Sequence, residues 1–455
     1  MNILSHRYVR WSLILWACAL PAWAAPAGPQ VSDGDLTLEQ LLKNTLERNA
    51  QIQETLADVE VAKSQVDLAK AALWPKAQAI VLAAPIFEER GNALKSTSNW
   101  SHWGPFIQVG AQVVQPVYTF GMISSYRKAA DGQVLAKEGL TDVKRNEVIL
   151  TTKEFYYSYL MACDLESLVD DLIKFLDEAV VTAEKNVNRK KGANVKPHDL
   201  YKLKSALEDL RQRKLQARAG RQTAERAVAW VTATQFEHLA RQPLEPEEYE
   251  SKKIDEYVAL SKSKRPEFRA LKDGQEARAA LRDAKRAQSY PIVFIGAFAS
   301  LPWSPVRDKQ PTVFANDPFN QIQGGAGLGV KFDLEFMRHS AEAAEQNAEY
   351  MKLKATESYA APGIDLQVRK AYWELEQARE GLEIAQRRKA LGKKWFVSSA
   401  MGWSIGLTPA KDLLESLEGE GLAKKNYVET VFAYNMALAR LTQAVGQEVT
   451  HLKYR

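Results

Sequence analysis

The chain has 455 residues, and its 61 Lys and Arg stand against 56 Asp and Glu for a formal net charge of +5. Basic and acidic residues are interspersed along every helical tract, which excludes a dedicated nucleic-acid surface, and two cysteines exclude a disulfide framework. The six histidines, His6, His102, His198, His238, His339 and His451, are dispersed without metal-ligand spacing, and no Ser/His/Asp or Cys/His set appears, so no enzyme and no cofactor is expected.

Residues 1–24 carry a basic head (His6, Arg7, Arg10), an apolar middle from Trp11 to Leu20 and the small-x-small site Ala22-Trp23-Ala24, the pattern of a secretory signal peptide. The mature chain would begin near Ala25. Lipoprotein processing at Leu15-Trp16-Ala17-Cys18 is disfavoured, because the apolar core before Cys18 is short and Trp16 crowds a position that wants a small residue. The remaining cysteine, Cys163, reads as a buried helical thiol.

Thr37-Leu38-Glu39-Gln40 is a capping box flanked by the Leu36 and Leu41 staple, so a first helix starts near Leu38. A second carries the seam Ile52, Leu56, Val59, Val66, Leu73, with Lys63 and Lys70 on it, until Pro75 stops it after Trp74. A third tract runs from about Met122 to Lys191 and could reach roughly 100 Å at about 1.5 Å per residue. The fourth, Pro197 to Val231, has the heptad stripe Leu200, Leu203, Leu207, Leu210, Lys214, Ala217, Arg221, Ala224, Val228, Val231. Thr234 to Lys264, with Pro243 and Pro246, reads as a compact connector.

The same plan then returns about 215 residues later. Trp74-Pro75 is answered by Tyr290-Pro291, Gly110-Ala111 by Gly325-Ala326, Phe155-Tyr156-Tyr157 by Ala371-Tyr372-Trp373, and Asp199-Leu200 by Asp412-Leu413. Seams recur at Ile364, Val368, Ala371, Leu375, Ala378, Leu382, Ala385 and at Leu413, Leu417, Glu420, Lys424, Tyr427, Val431, Tyr434, Leu438, Leu441, so coiled-coil packing is predicted. Pro362-Gly363 has no counterpart in the first copy and predicts a kink or break. The division expected is a first repeat over 35–233, a connector over 234–264, a second repeat over 265–446 and a tail over 447–455.

Four windows lack any charge: Ala77 to Phe87, Ser96 to Tyr126, Ala287 to Val306 and Pro318 to Val330. Their prolines and glutamines exclude transmembrane helices, and their period is two. Gln108, Gly110 and Gln112 alternate with Ile107, Val109, Ala111 and Val113; Gln323, Gly325, Gly327 and Gly329 alternate with Ile322, Ala326, Leu328 and Val330. Strands near 77–87, 106–117, 291–301 and 321–332, polar on one face and apolar on the other, suit a transmembrane β-barrel, with Trp100, Trp103, Phe106, Trp303, Phe314 and Phe319 as an interfacial belt. An open sheet edge in lipid leaves backbone groups unpaired, so other copies must complete the sheet. A soluble sheet capping a bundle leaves the missing charges unexplained, and Gly325-Ala-Gly327-Leu-Gly329 lacks the helix start that a nucleotide loop needs. A periplasmic coiled-coil scaffold or adaptor would explain the rods but not the strands.

The fold class is therefore mainly α with a small β part: long antiparallel coiled-coil helices plus four amphipathic strands. Signal peptide, duplicated plan and rod length together resemble the TolC-like outer-membrane efflux duct family. The resemblance rests on Leu36 to Leu42, Ala71 to Pro75, Gln115-Pro116-Val117 with Phe120-Gly121, Arg265-Pro266-Glu267, and Ile405-Gly406-Leu407-Thr408 with Asp412-Leu413-Leu414. It implies a homotrimer whose strands form one 12-stranded outer-membrane barrel, continued by a helical periplasmic tunnel and joined through a periplasmic adaptor (membrane fusion protein) to an inner-membrane pump. Small molecules or exported proteins would pass through it.

The hairpins should turn near 189–199 and 396–412, far from the barrel. Asp412 and Glu415 share a helix face, and the resemblance assigns them, with Asp199, to a ring of carboxylates at the periplasmic gate. It assigns Ile405, Gly406, Leu407 and Thr408, and Gly192 in the first copy, to the turns where adaptors dock. The first turn is unusually basic (Arg189, Lys190, Lys191, Lys196), and Thr408 stands where relatives can carry an arginine that ties the gate shut.

Overall fold

The computed structural model describes residues 36–454 apart from 93, 189–195, 237, 238, 240, 311 and 313. The signal peptide, Gly192 and the basic turn at Arg189 to Lys191 lie outside the described residues. In chain order the elements are α1 (Leu38–Arg48), α2 (Ala50–Ala71), β1 (Lys76–Asn92), β2 (Lys95–Tyr118), α3 (Met122–Asn188), α4 (Pro197–Thr232), α5 (Ile254–Lys264), α6 (Pro266–Ala287), β3 (Ile292–Trp303), β4 (Gln323–Lys331), α7 (Phe336–Ser404) and α8 (Ala410–Val445).

Local sequence sets most helix ends. Thr37 and Gln40 form the reciprocal capping box that opens α1. Asn49 closes α1 and caps α2, its side chain accepting from the Gln51 amide and donating to the Val231 carbonyl. Pro197 and Pro266 occupy first turns, where a missing N–H costs nothing, and Gly446 ends α8 in the left-handed conformation.

The two long helices α3 and α7 are the rods, and the short helices stack beside them end to end. Near the sheet, α2, α3, α6 and α7 lie side by side in the order of their strands; away from it, α4 and α8 take the places of α2 and α6. Gly132 and Gly139 of α3 let the backbones meet α6 closely, since a Cβ on either would stand 3.1 Å or 2.8 Å from Ala277 and Ala270. At the far end Leu176, Ala183, Leu203, Leu207, Leu413 and Leu417 from α3, α4 and α8 share one core, joined by Phe396 of α7 edge-on to Phe175 at 4.7 Å.

The heptad seams are the buried stripes. On α8, Leu413, Leu417, Val431, Leu438 and Leu441 are at most 5% exposed, and on α4 so are Leu203, Leu207, Val228 and Val231. The charged seam members are buried by pairing: Arg221 donates to Glu166 at 2.7 Å and to Glu225 at 3.3 Å. On α2 the seam differs from the sequence reading by one residue, because Ala62 is buried and Lys63 stays exposed.

Two expectations are corrected. The break expected at Pro362 does not occur: helix α7 runs unbroken through it, with contacts on both flanks of the lost hydrogen bond. Gln275 reaches Glu357 on one side, and Arg265 reaches Gln367 and Asp255 reaches Arg369 on the other. The strands of the first copy also pass beyond their neutral windows, taking in Glu88, Glu89, Arg90 and Lys95.

The tail locks the copies together. Lys153 on α3 is 1% exposed and pairs with Glu448 at 2.8 Å, while Tyr454 and Thr450 also donate to that carboxylate. Burial alone would raise the Glu448 carboxyl, but the ammonium and the hydrogen bonds outweigh it and hold the group at about 2 against an ordinary 4.5.

Candidate functional site

The strands form one antiparallel sheet in the order β1-β2-β3-β4, leaving β1 and β4 as open edges. Its register aligns Gln78 with Gln112, Gln108 with Pro302, and Gly110 with Ser300. The side chains exploit that alignment: Gln112 donates to Gln78 at 2.8 Å and Gln108 to Ser300 at 2.9 Å, an amide ladder across one face. The opposite face carries Val81, Val109, Val113, Ile295, Leu301 and Leu328, all exposed. Exposed aliphatics on a sheet face two strands deep in register have only lipid to meet. Among the described residues no helix is long and apolar enough to cross a membrane.

Strand length fixes how much of the sheet a bilayer can hold. The 12 residues of β3 span about 40 Å, or about 28 Å of height at a 45° tilt, which matches a hydrocarbon core. The 24 residues of β2 span about 80 Å, so its first half stands clear of the membrane with the end of β1. That projection is polar and clasped to the β3–β4 loop. Glu89 pairs with Arg307, Arg90 with Asp308 at 2.9 Å, and the Arg307 guanidinium lies between the rings of Phe87 and Phe319 at 4.7 Å and 4.5 Å.

Of the expected belt residues, Trp303 lies at the end of β3, while Trp100 stacks on Phe87 at 4.1 Å within the projection. A second aromatic cluster, not read from the sequence, sits at the helical end of the sheet. There Phe120 meets Tyr118 at 4.6 Å and stacks on Tyr290 at 5.7 Å, with Trp74, Phe332 and Phe336 exposed nearby in the chain. The Pro75 and Pro291 punctuation that ends the helices was the signal for it.

At the far end of the rods, the turn between α7 and α8 is a Schellman motif. Leu407 N–H donates to the Gly402 carbonyl at 2.8 Å and Gly406 N–H to Trp403 at 3.0 Å, with Gly406 at φ 78°. Ile405 and Leu407 are 70% and 78% exposed, an apolar pair at the end of a rod, while Thr408 is half-buried against Gly402. Asp412 and Glu415 are exposed on one face of the first turns of α8. Asp199 stands at the matching place on α4, half-buried and 3.2 Å from His198. The shared core beneath them brings the starts of α4 and α8 into one bundle.

One group of possible metal ligands escaped the sequence reading: Asp333, Glu335 and His339, at the start of α7, offer ligand atoms within 4.8 Å of one another. The Glu335 carboxylate is already engaged by Arg338 at 2.7 Å.

The chain matches the outer membrane efflux protein family over residues 41–234 and 258–447. No curated protein sequence matches it. Among solved structures, it is similar to the outer-membrane channel OprN at 15% identity, covering 90% of each chain with a TM-score of 0.72. It is similar to the open state of the Neisseria gonorrhoeae MtrE outer membrane channel at 17% identity, with 92% and 91% covered and a TM-score of 0.72. The Vibrio cholerae outer membrane protein VceC matches at 14% identity, with 90% of this chain and 96% of that one covered and a TM-score of 0.69. With more than half of its length matched by the family and the same fold in these channels, the chain belongs to the outer membrane efflux protein family and is an outer-membrane exit duct with a periplasmic helical extension.

Proposed function

We propose that three copies assemble into one duct, each β1 edge pairing with the β4 edge of the next copy to close a 12-stranded barrel. The inequivalence of α3 and α7 supports this most strongly. Among the described residues, helix α3 packs against α2, α4, α6 and α8, whereas α7, its repeat partner, has only α6 and α8 along its length apart from the small α5. The bare flank of α7 carries Tyr359, Leu366, Trp373, Ile384 and Leu391, each more than half exposed, and the outer side of α4 carries Leu215 and Trp230 in the same condition. Joining these flanks between copies gives α7 the neighbours that α3 already has and buries apolar surface on both sides.

In that assembly the tunnel ends at the α3–α4 and α7–α8 turns. Asp412, Glu415 and Asp199 line the closed periplasmic gate, where threefold repetition crowds carboxylates and attracts cations. Ile405, Gly406, Leu407 and Thr408 form the tip on which a periplasmic adaptor docks, as does Gly192 of the first copy, which lies outside the described residues, and the adaptor couples the duct to an inner-membrane pump. The duct itself catalyses nothing; the pump drives efflux or secretion. The test is a planar bilayer recording on the mature protein after checking for an SDS-resistant trimer. The reading expects cation-selective pores blocked by divalent cations from the periplasmic side, with block weakened about tenfold, or about 1.4 kcal/mol, in Asp412→Asn with Glu415→Gln. Absence of both trimer and pores sinks the duct assembly, and unchanged block sinks the gate.

A further inference from the structure

On the amide-bearing face of the sheet, where β-strands give way to helices, the chain forms a cavity of about 830 Å³ that is open to solvent on one side. That volume falls in the range of small-molecule sites. Its walls are apolar: Leu68 and Ala72 of α2, Ile123 of α3, Leu281 of α6, and Ile292 and Phe294 of β3. Three cationic side chains, Lys76, Arg278 and Lys331, line it together with no carboxylate at all. In a chain whose charges otherwise alternate and pair, three cations on an apolar wall without an acid is an imbalance that a ligand can correct. Arg278 donates to Gln346 at 3.1 Å, while Lys331 stands between this cavity and a neighbouring one that Asp333 and Glu342 line.

Glycines on β4 shape the upper wall. The register sets Phe294 opposite Gly329 and Phe298 opposite Gly325, and both rings lie over these side-chain-free positions. A Cβ on Gly329 would stand 2.6 Å from Phe294 Cζ, so only glycine lets that ring lie flat against the sheet and leave the cavity open. The Phe298 ring, 56% exposed, continues the aromatic surface along the same face.

We infer that this cavity is a binding site for small aromatic carboxylates, with the aromatic body against Phe294 and the apolar helix faces and the anion attracted by the ammonium groups of Lys76 and Lys331, which flank the site from the two edges of the sheet. It rests on the duct reading only in placing the site on the lumen side, at the passage from barrel to tunnel, where every transported solute would pass it. The ligand class follows from an apolar π surface next to ammonium groups.

The experiment is equilibrium dialysis of the full-length assembly in lipid nanodiscs against 2-naphthoate, with empty nanodiscs subtracted and the matching naphthylmethylammonium as comparator. Saturable naphthoate binding, with the ammonium bound at least tenfold more weakly, is expected. Lys76→Gln with Lys331→Gln should weaken naphthoate about tenfold and erase the preference for the anion. Gly329→Val, which drives the Phe294 ring into the cavity, should weaken binding, and Phe294→Ala in the same chain should restore part of it. Non-saturable uptake, equal binding of the two probes, or unchanged affinity in the double lysine variant overturns the inference. Loss of bilayer conductance with binding intact would overturn the duct assembly alone.

Discussion

The two copies fold alike in their helices and differently in their strands. Helices α2 and α6 have 22 residues each, α4 and α8 have 36 each, and the rods α3 and α7 have 67 and 69. The strands have 17 and 24 residues in the first copy but 12 and 9 in the second. Helices that line one tunnel side by side must match in length, whereas strand ends beyond the bilayer meet only water, each other and the β3–β4 loop. Copies under the same packing constraint stay equal; where the constraint ends, they diverge.

Equal length does not mean equal surroundings. Tyr157 and Trp373 occupy the same place in the repeat, yet Tyr157 is 3% exposed and Trp373 is 57% exposed. Tyr157 lies inside the protomer and donates to Glu247, while Trp373 faces outward from the bare flank of α7. The sharpest way to break the comparison is to place a charge at each. Tyr157→Glu should prevent folding of the protomer, because a buried unpaired carboxylate costs several kcal/mol, about 3–5. Trp373→Glu should leave the helical circular dichroism intact and remove the SDS-resistant trimer, at about 2–3 kcal/mol per interface. If both variants assemble normally, the two positions are equivalent and the flank-joining argument fails.

A smaller effect comes from the ion pair that joins the first copy to the tail. A carboxyl whose folded value is depressed stabilises the protein above its unfolded value and loses that contribution as pH falls towards the folded one. The Glu448 contribution, of order 3 kcal/mol from its fall to about 2, should therefore be complete above about pH 5 and drain away between roughly pH 4.5 and 2. Glu448→Gln should flatten the pH dependence of thermal unfolding in that window, and an unchanged slope would show that the pair contributes nothing. The smallest effect is at the second turn: Gly406→Ala must hold a Cβ at φ 78°, which should lower stability by about 1 kcal/mol while leaving assembly intact, read as a modest drop in melting temperature.

Much of the candidate site was legible because its signals are local. The sequence carried the alternation that separates Gln108 and Gln112 from Val109 and Val113, and the structure turns it into the amide ladder and the lipid face. The turn at Ile405 to Thr408 ahead of Asp412 and Glu415 was expected from the family resemblance, and the structure has a helix-ending turn there. The aromatic carboxylate cavity was not legible, since Lys76, Arg278 and Lys331 come from β1, α6 and β4 and only the packing of helices against the sheet sets them around one space. Nor was the Arg307 clasp, whose partners Phe87, Glu89 and Phe319 lie in segments that meet only after the strands pair.

The sequence by itself determined the periods and the punctuation: the Thr37 capping box, the 3.5-residue seams, the two-residue strand alternation, and the duplication that repeats them. Each of these depends on neighbours within a turn or a few residues, so the chain can carry it without knowing the fold. Tertiary structure alone decided how far β1 and β2 extend, why α7 continues through Pro362, and that Lys153 finds Glu448. It also decided which of two matching positions, Tyr157 or Trp373, is buried. Those outcomes depend on groups distant in sequence meeting in space, and burial is a property of the packed neighbours and not of the residue.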